Sequence, residues 1–266
     1  MTALAPLARR LPIEPVADAA PMRALGSTFA KVSVIIPAKN EAANIPWVLA
    51  RIPEWVDEII IVDGLSTDGT IEVAQRCVPD VIVVHEQRPG KGAAIRAGFA
   101  AATGDIVVMI DADGSMDPGE IGRYVRSIED GADLAKGSRR LIGGGSADLT
   151  MFRQLGNRCL LFGANGMFRT RFSELCYGFM ALRRSRIEAL ALVSDGFEIE
   201  TEIVVRSVRC GLKVAEVPSF EAPRRAGASN LNVARDGLRI VRTLLMVRLN
   251  LQRAQARADR RRVRTV

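Results

Sequence analysis

The stretch Ile106-Val107-Val108-Met109-Ile110-Asp111-Ala112-Asp113-Gly114 decides how this chain is read. Five apolar residues in a row are too few for a helix. They are too uniformly apolar for a strand with one wet face, so they read as a strand buried on both faces. The run then stops dead on an acid. Three upstream runs, at 32–36, 58–62 and 81–84, have the same character, and the first two end at Pro37 and at Asp63-Gly64. Helical patterns fill the gaps at 44–51, 68–77 and 91–103. Strand and helix in alternation predict an α/β fold, a single Rossmann-like, mostly parallel sheet with helices on both faces.

Downstream the text becomes more helical. Helices are expected over 150–168 and 197–210, with a strand at 213–217. A last helix over 231–251 sets Arg235, Arg239 and Arg242 against an apolar side of Ile240, Leu244, Val247 and Leu251. The organisation expected is a flexible Ala- and Pro-rich arm over 1–30, one domain over 31–230, and an amphipathic helix with a basic tail over 231–266.

Composition narrows the chemistry. The chain has 266 residues, 48% hydrophobic and 25% charged, which suits one globular domain with appendages. Its net charge is +7, of which residues 252–266 supply +5 through six arginines and Asp259. The only histidine is His85, and the four cysteines form no CxxC pair. This argues against a Cys/His zinc site and against a Ser-His-Asp triad. The thiols suit a reducing cytosol. The first residues place apolar side chains ahead of Arg9 and Arg10, the reverse of an export signal, so a cytoplasmic location is expected.

Ligands of open α/β sheets gather beyond the carboxyl ends of the strands. Asp111 and Asp113 lie there, two apart, so in extended chain they point the same way. Two carboxylates side by side repel unless a cation sits between them. Hard oxygen donors without histidine or thiolate suit Mg²⁺ or Mn²⁺. The bland reading is a pair of solvated turn acids. Gly90-Lys91-Gly92 opens a helix, and free backbone N–H groups beside a lysine make an anion site. The Walker A spacing is missing, and no GxGxxG follows the first strand.

Four motifs in register resemble family 2 glycosyltransferases of the GT-A fold. They are Val34-Ile35-Ile36-Pro37-Ala38-Lys39-Asn40-Glu41, Ile61-Val62-Asp63-Gly64-Leu65-Ser66-Thr67-Asp68-Gly69-Thr70, Gly90-Lys91-Gly92-Ala93 and Asp111-Ala112-Asp113. The likeness runs over roughly 32–232. Lys136-Gly137-Ser138-Arg139, Gly178-Phe179 with Arg183, Glu216-Val217-Pro218 and Arg224-x2-Gly227-x-Ser229 are similar to the dolichyl- and polyprenyl-phosphate sugar synthases of that family. Departures are Gly64 in place of a second aspartate, Ser115 for a glutamine, Asn157 for a serine and Asn230 for a lysine.

The resemblance implies an inverting transferase that takes a sugar from a nucleotide-diphosphate sugar, GDP- or UDP-linked, to a polyprenyl phosphate. It implies donor binding by Pro37, Ala38, Asn40, Glu41, Asp63, Ser66, Lys91, Gly92, Asp111, Ala112, Asp113 and Arg224, with Asp111 and Asp113 on the metal. Arg139 and Arg153 would hold an acceptor phosphate, which is already anionic at neutral pH. A hydroxyl acceptor would instead need a base, and Glu200 is the candidate. Asp195 and Glu198 at the same helix start read equally well as acids matched to the helix dipole.

The basic tail with the last helix suggests peripheral docking on an anionic membrane at its inner face. The competing use of that helix is to pack its apolar side on the domain or on a second subunit, as a homo-oligomer. The tail has no interleaved aromatics, so no specific nucleic acid is expected. A sugar-nucleotide pyrophosphorylase would need glycines in the first loop, and a non-catalytic nucleotide-sugar binder is at odds with the intact acid pair.

Overall fold

The computed structural model describes residues 30–147, 151–228 and 232–249. The rest of the expected arm, Ser229, Asn230, Leu251 and the basic tail lie outside the described residues.

Seven strands make one sheet in the order β3-β2-β1-β4-β7-β5-β8. They are β1 (Val32–Ala38), β2 (Glu58–Asp63), β3 (Ile82–His85), β4 (Ile106–Met109), β5 (Leu134–Ser138), β7 (Met180–Arg183) and β8 (Val214–Pro218). Only β7 runs antiparallel to its neighbours β4 and β5. Two short strands, β6 (Gly145–Ser146) and β9 (Phe220–Glu221), pair on their own.

The alternation of β1 builds both sides of the core. Val34 and Ile36 face a layer with α1 (Ile45–Leu49), α2 (Thr70–Cys77) and α4 (Ile121–Glu129), while Ile35 faces the other. That second layer holds α3 (Lys91–Ala101), α5 (Met151–Phe168), α6 (Arg184–Leu190), α7 (Ile199–Arg209) and α8 (Val233–Arg248). β1 and β4 are buried throughout or nearly so, as an apolar run predicts. β3 departs from that expectation. It is an edge strand with Ile82 exposed, because only β2 pairs with it.

The chain leaves β1 toward β2 and β3, then crosses back to lay β4 on the other side of β1. The two strands pair in parallel, with Ile35 opposite Met109. Their loops diverge at this switch point and leave a crevice. Glu41 follows one strand, and Asp111 and Asp113 follow the other.

Arg183 acts inside the fold. Its guanidinium donates to the carbonyls of Ile128 and Ala132, closing the C-terminal end of α4.

Candidate active site

A cavity of about 1680 Å³ opens at the switch point. Pro37, Ala38, Glu41, Lys91, Asp111, Ala112, Asp113, Arg139, Glu200 and Arg224 all line it. Six separate segments of chain therefore converge on one crevice.

The acids of the crevice are held by two cations. Lys91, the first residue of α3, sets its Nζ against Asp111 and 2.6 Å from Glu200 Oε1. Burial opposes the Lys91 ammonium, but the carboxylates of Asp111 and Glu200 outweigh it and raise its pKa above the ordinary lysine value. Burial pushes Asp111 up to about 6, with Lys91 opposing and Asp113 and Glu200 adding to the rise. Arg224 bridges Asp113 Oδ2 at 3.2 Å and Glu41. Asn44 donates to the second Glu41 oxygen at 2.6 Å.

Residues 222–228, which carry Arg224, are strapped over this floor. Ala222 and Arg225 donate backbone N–H groups to the carbonyls of Ser115 and Asp113. The Arg225 guanidinium stacks on Trp47 at 4.7 Å, with Arg51 also against that ring at 4.9 Å.

Gly178 explains how Lys91 and Glu200 can meet. A Cβ there would lie 2.8 Å from both Lys91 Nζ and Glu200 Oε1.

Several of the expected site residues have partners within the fold. At the start of α3 the N–H groups of Gly92 and Ala93 donate to the Asp195 carbonyl at 2.8 and 3.2 Å, so these two are already engaged. Gly92 is small for packing, since a Cβ would strike the Ser194 carbonyl. Asn40, Ser66 and Asp63 lock the first two loops together and lie outside the lining. Asn40 N donates to Ser66 Oγ at 2.9 Å, its Oδ1 accepts from Thr67 N at 2.8 Å, and Asp63 Oδ1 accepts from Ser66 N at 3.2 Å. Glu41 lines the crevice with its carboxylate already engaged.

Arg139 differs most from its expected role. It lies in the crevice wall but is committed to Glu174, Glu221 and the Cys176 carbonyl. Those bonds use four of its five N–H groups. Arg153 is on α5, and its side chain lies outside the described set. At the start of α7, Asp195 pairs with Arg96 at 2.6 Å, and Glu198 Oε1 accepts from Gly196 N at 3.2 Å. These are structural duties.

What sequence reasoning missed is α8. Its arginines Arg235, Arg239 and Arg242 line the same cavity as the acid pair. Ile240, Leu244 and Val247, three residues of its expected apolar side, are buried against the domain, the alternative to membrane or subunit contact.

The acid pair fits a divalent ion. Among the described residues no third metal-ligating side chain joins it. Mg²⁺ characteristically takes one or two carboxylates and completes its shell with phosphate oxygens and water.

Residues 33–190 match Glycosyl transferase family 2. The chain belongs to this family.

Among relatives of this glycosyltransferase, an uncharacterised glycosyltransferase of Mycobacterium tuberculosis is 36% identical over 204 residues, covering 76% of this chain and 89% of that one. The dolichol-phosphate mannosyltransferase of Pyrococcus furiosus is 33% identical over 210 residues, covering 76% of this chain and 59% of that one. In structure the glycosyltransferase resembles glucosyl-3-phosphoglycerate synthase from Mycobacterium tuberculosis, crystallised with Mn²⁺, UDP-glucose and phosphoglyceric acid. The TM-score is 0.66 at 27% identity, over 82% of this chain and 80% of that one. The GT-A fold expected from the motifs is thus the fold observed.

Proposed function

We propose that this glycosyltransferase moves a sugar from a nucleotide-diphosphate sugar to a polyprenyl phosphate, with inversion. The observation that carries the reading is the reach of the cavity. It runs from Asp111 and Asp113 to Arg235, Arg239 and Arg242 of α8. An acid end suits a metal-bound pyrophosphate, and an arginine end suits an anionic acceptor.

Asp111 and Asp113 would hold Mg²⁺ or Mn²⁺. When bound, that ion neutralises charge on the leaving diphosphate. The rest falls to the chain. Arg224 and Lys91 are placed to turn from the acids toward phosphate oxygens once the acids have another cation. An acceptor phosphate oxygen attacks the anomeric carbon as the bond to the diphosphate oxygen breaks, and the nucleoside diphosphate leaves with the electron pair. No proton need be removed from the acceptor, because a phosphate monoester is mostly dianionic at neutral pH. Glu200, buried and paired with Lys91, then serves to hold that lysine.

A second reading has one observation in its favour. The structural neighbour glucosyl-3-phosphoglycerate synthase was crystallised with a small water-soluble acid. A hydroxyl acceptor would require a base, and Glu200 is the lining carboxylate suited to it.

The test is a panel of labelled GDP- and UDP-sugars offered with polyprenyl phosphate and, separately, with soluble hydroxyl acceptors. Label extracted into solvent as a prenyl-phosphate sugar supports the first reading. Label found only on a soluble hydroxyl overturns it.

A further inference from the structure

Two helices of the second layer, α5 and α8, each have an apolar stripe left exposed among the described residues. On α8, Asp236, Ile240, Thr243, Leu244 and Val247 are buried against the domain. The opposite side is also apolar. Leu238 is 71% exposed and Leu249 62%, and Val241 and Leu245 lie between them at spacings of three and four. One helix thus has two apolar sides, and only the first faces the core. On α5, Leu155, Cys159 and Phe162 make a similar stripe, with Phe162 84% exposed.

The stripes belong to one surface. α5 and α8 pack against each other. Cys159 and Val241, one from each stripe, line the cavity that holds Asp111 and Asp113. The apolar surface therefore reaches the rim of the active-site crevice.

Charge identifies the occupant. Projected on a helical wheel, Arg235, Arg239 and Arg242 run along one edge of the α8 stripe, and Arg248 lies along the other. Exposed Arg158 adjoins the α5 stripe. Neither helix offers an exposed acid, since α5 contains none and Asp236 is 2% exposed. Buried Asp236 lies 3.6 and 3.5 Å from Arg235 and Arg239 and is already engaged, so a second copy packed isologously would set the arginines against their own images with no exposed carboxylate on either helix to meet them. An anionic lipid surface meets both needs, with headgroups for the arginines and acyl chains for the leucines. The sequence past Leu249 adds net +5 over 252–266. No described helix is long and apolar enough to cross a membrane.

We propose that the exposed faces of α5 and α8 form a membrane-docking surface for anionic lipid, which seats the mouth of the crevice at the headgroups. The proposal rests on the polyprenyl-phosphate reading, because a lipid acceptor is what such seating would deliver. Both helices then lie in the plane of the interface. Leu238, Leu245 and Phe162 dip below it, and Cys159 and Val241 mark where an acceptor chain passes from lipid to crevice.

The experiment is co-sedimentation of the full chain with phosphatidylcholine vesicles, with and without phosphatidylglycerol. The full-chain variants Leu238→Gln/Leu245→Gln and Phe162→Gln are run beside it. Their folding is followed by thermal melting and by turnover of a short-chain, water-soluble prenyl phosphate without vesicles. Wild type should partition at least about tenfold more onto the anionic vesicles. The variants should lose most of that binding with melting and soluble turnover unchanged. Equal binding by wild type and variants overturns the proposal, as does no binding by wild type. A wild-type dimer that the variants convert to monomers overturns it too, and assigns the face to a second copy. Vesicle binding that behaves as expected while the soluble prenyl phosphate receives no sugar upholds the surface and refutes the acceptor reading instead.

Discussion

Lys91 Nζ lies 2.6 Å from Glu200 Oε1, although 109 residues separate the two in the chain. The same ammonium touches Asp111. One lysine thus ties an acid of the Asp111–Asp113 pair to Glu200. Glu200 cannot be described apart from that pairing.

Glu200→Gln separates the two acceptor chemistries. With a phosphate acceptor, turnover should fall by less than about tenfold, whereas loss of a general base typically costs on the order of 10²–10⁴-fold. Stability should fall by about 1.5–3 kcal/mol, the worth of a hydrogen bond to a charged group. Steady-state kinetics with prenyl phosphate, read beside a denaturant melt, checks both. A hundredfold loss of kcat with stability intact would restore Glu200 as a base.

Asp111→Asn and Asp113→Asn should each lower kcat/KM on the order of 10²-fold or more, since metal stabilisation of leaving-group charge is worth several kcal/mol. A readout independent of activity accompanies this. The nucleoside diphosphate should raise the melting temperature of the wild type only with Mn²⁺ or Mg²⁺ present, and should not do so in Asp113→Asn. Full turnover by metal-stripped protein in excess EDTA would defeat the assignment.

Arg139→Ala should destabilise the fold by about 3–5 kcal/mol, because Glu174 would be left as a buried carboxylate without its cation, and half-buried Glu221 would lose the same partner. Arg139 and Glu174 are 8% and 3% exposed, so water cannot replace the guanidinium. Thermal melting of Arg139→Ala and of Arg139→Ala/Glu174→Gln checks this, with the double variant expected to recover part of the loss. An Arg139→Ala that melts like wild type but has lost affinity for prenyl phosphate would return Arg139 to direct acceptor binding.

Alkylation should sort the cysteines. Burial and the nearby Glu200 carboxylate push the Cys176 thiol up to about 12, against an opposing contact from Thr201 Oγ1. Since the thiolate is the reactive form, Cys176 should resist iodoacetamide at neutral pH. Cys77 and Cys159 are exposed and should be labelled. Cys159 lines the cavity, so a bound prenyl phosphate should protect it while Cys77 remains open. Peptide mapping by mass spectrometry reads all three, and rapid labelling of Cys176 in the folded protein would contradict the burial argument.

Local chemistry was enough to read the parallel part of the sheet. A run such as 106–110, short and rich in β-branched residues, reads as a buried strand, and its abrupt end at Asp111 marks a carboxyl edge. The set of loops lining the crevice followed from that. The edge position of β3, the reversed β7 and the layer that buries Ile240, Leu244 and Val247 did not, because each depends on which distant element lies alongside. The state of the charged groups was settled the same way. Lys91, Arg139 and Arg224 look alike in sequence as cations waiting for phosphate. Only the fold brings Glu200, Glu174 and Glu41 against them. Sequence determined which strand ends and loops border the crevice, since motif and strand end are local properties. Tertiary structure decided which of their charges are already paired, since the strength of a pair depends on distance and burial, and neither is written along the chain.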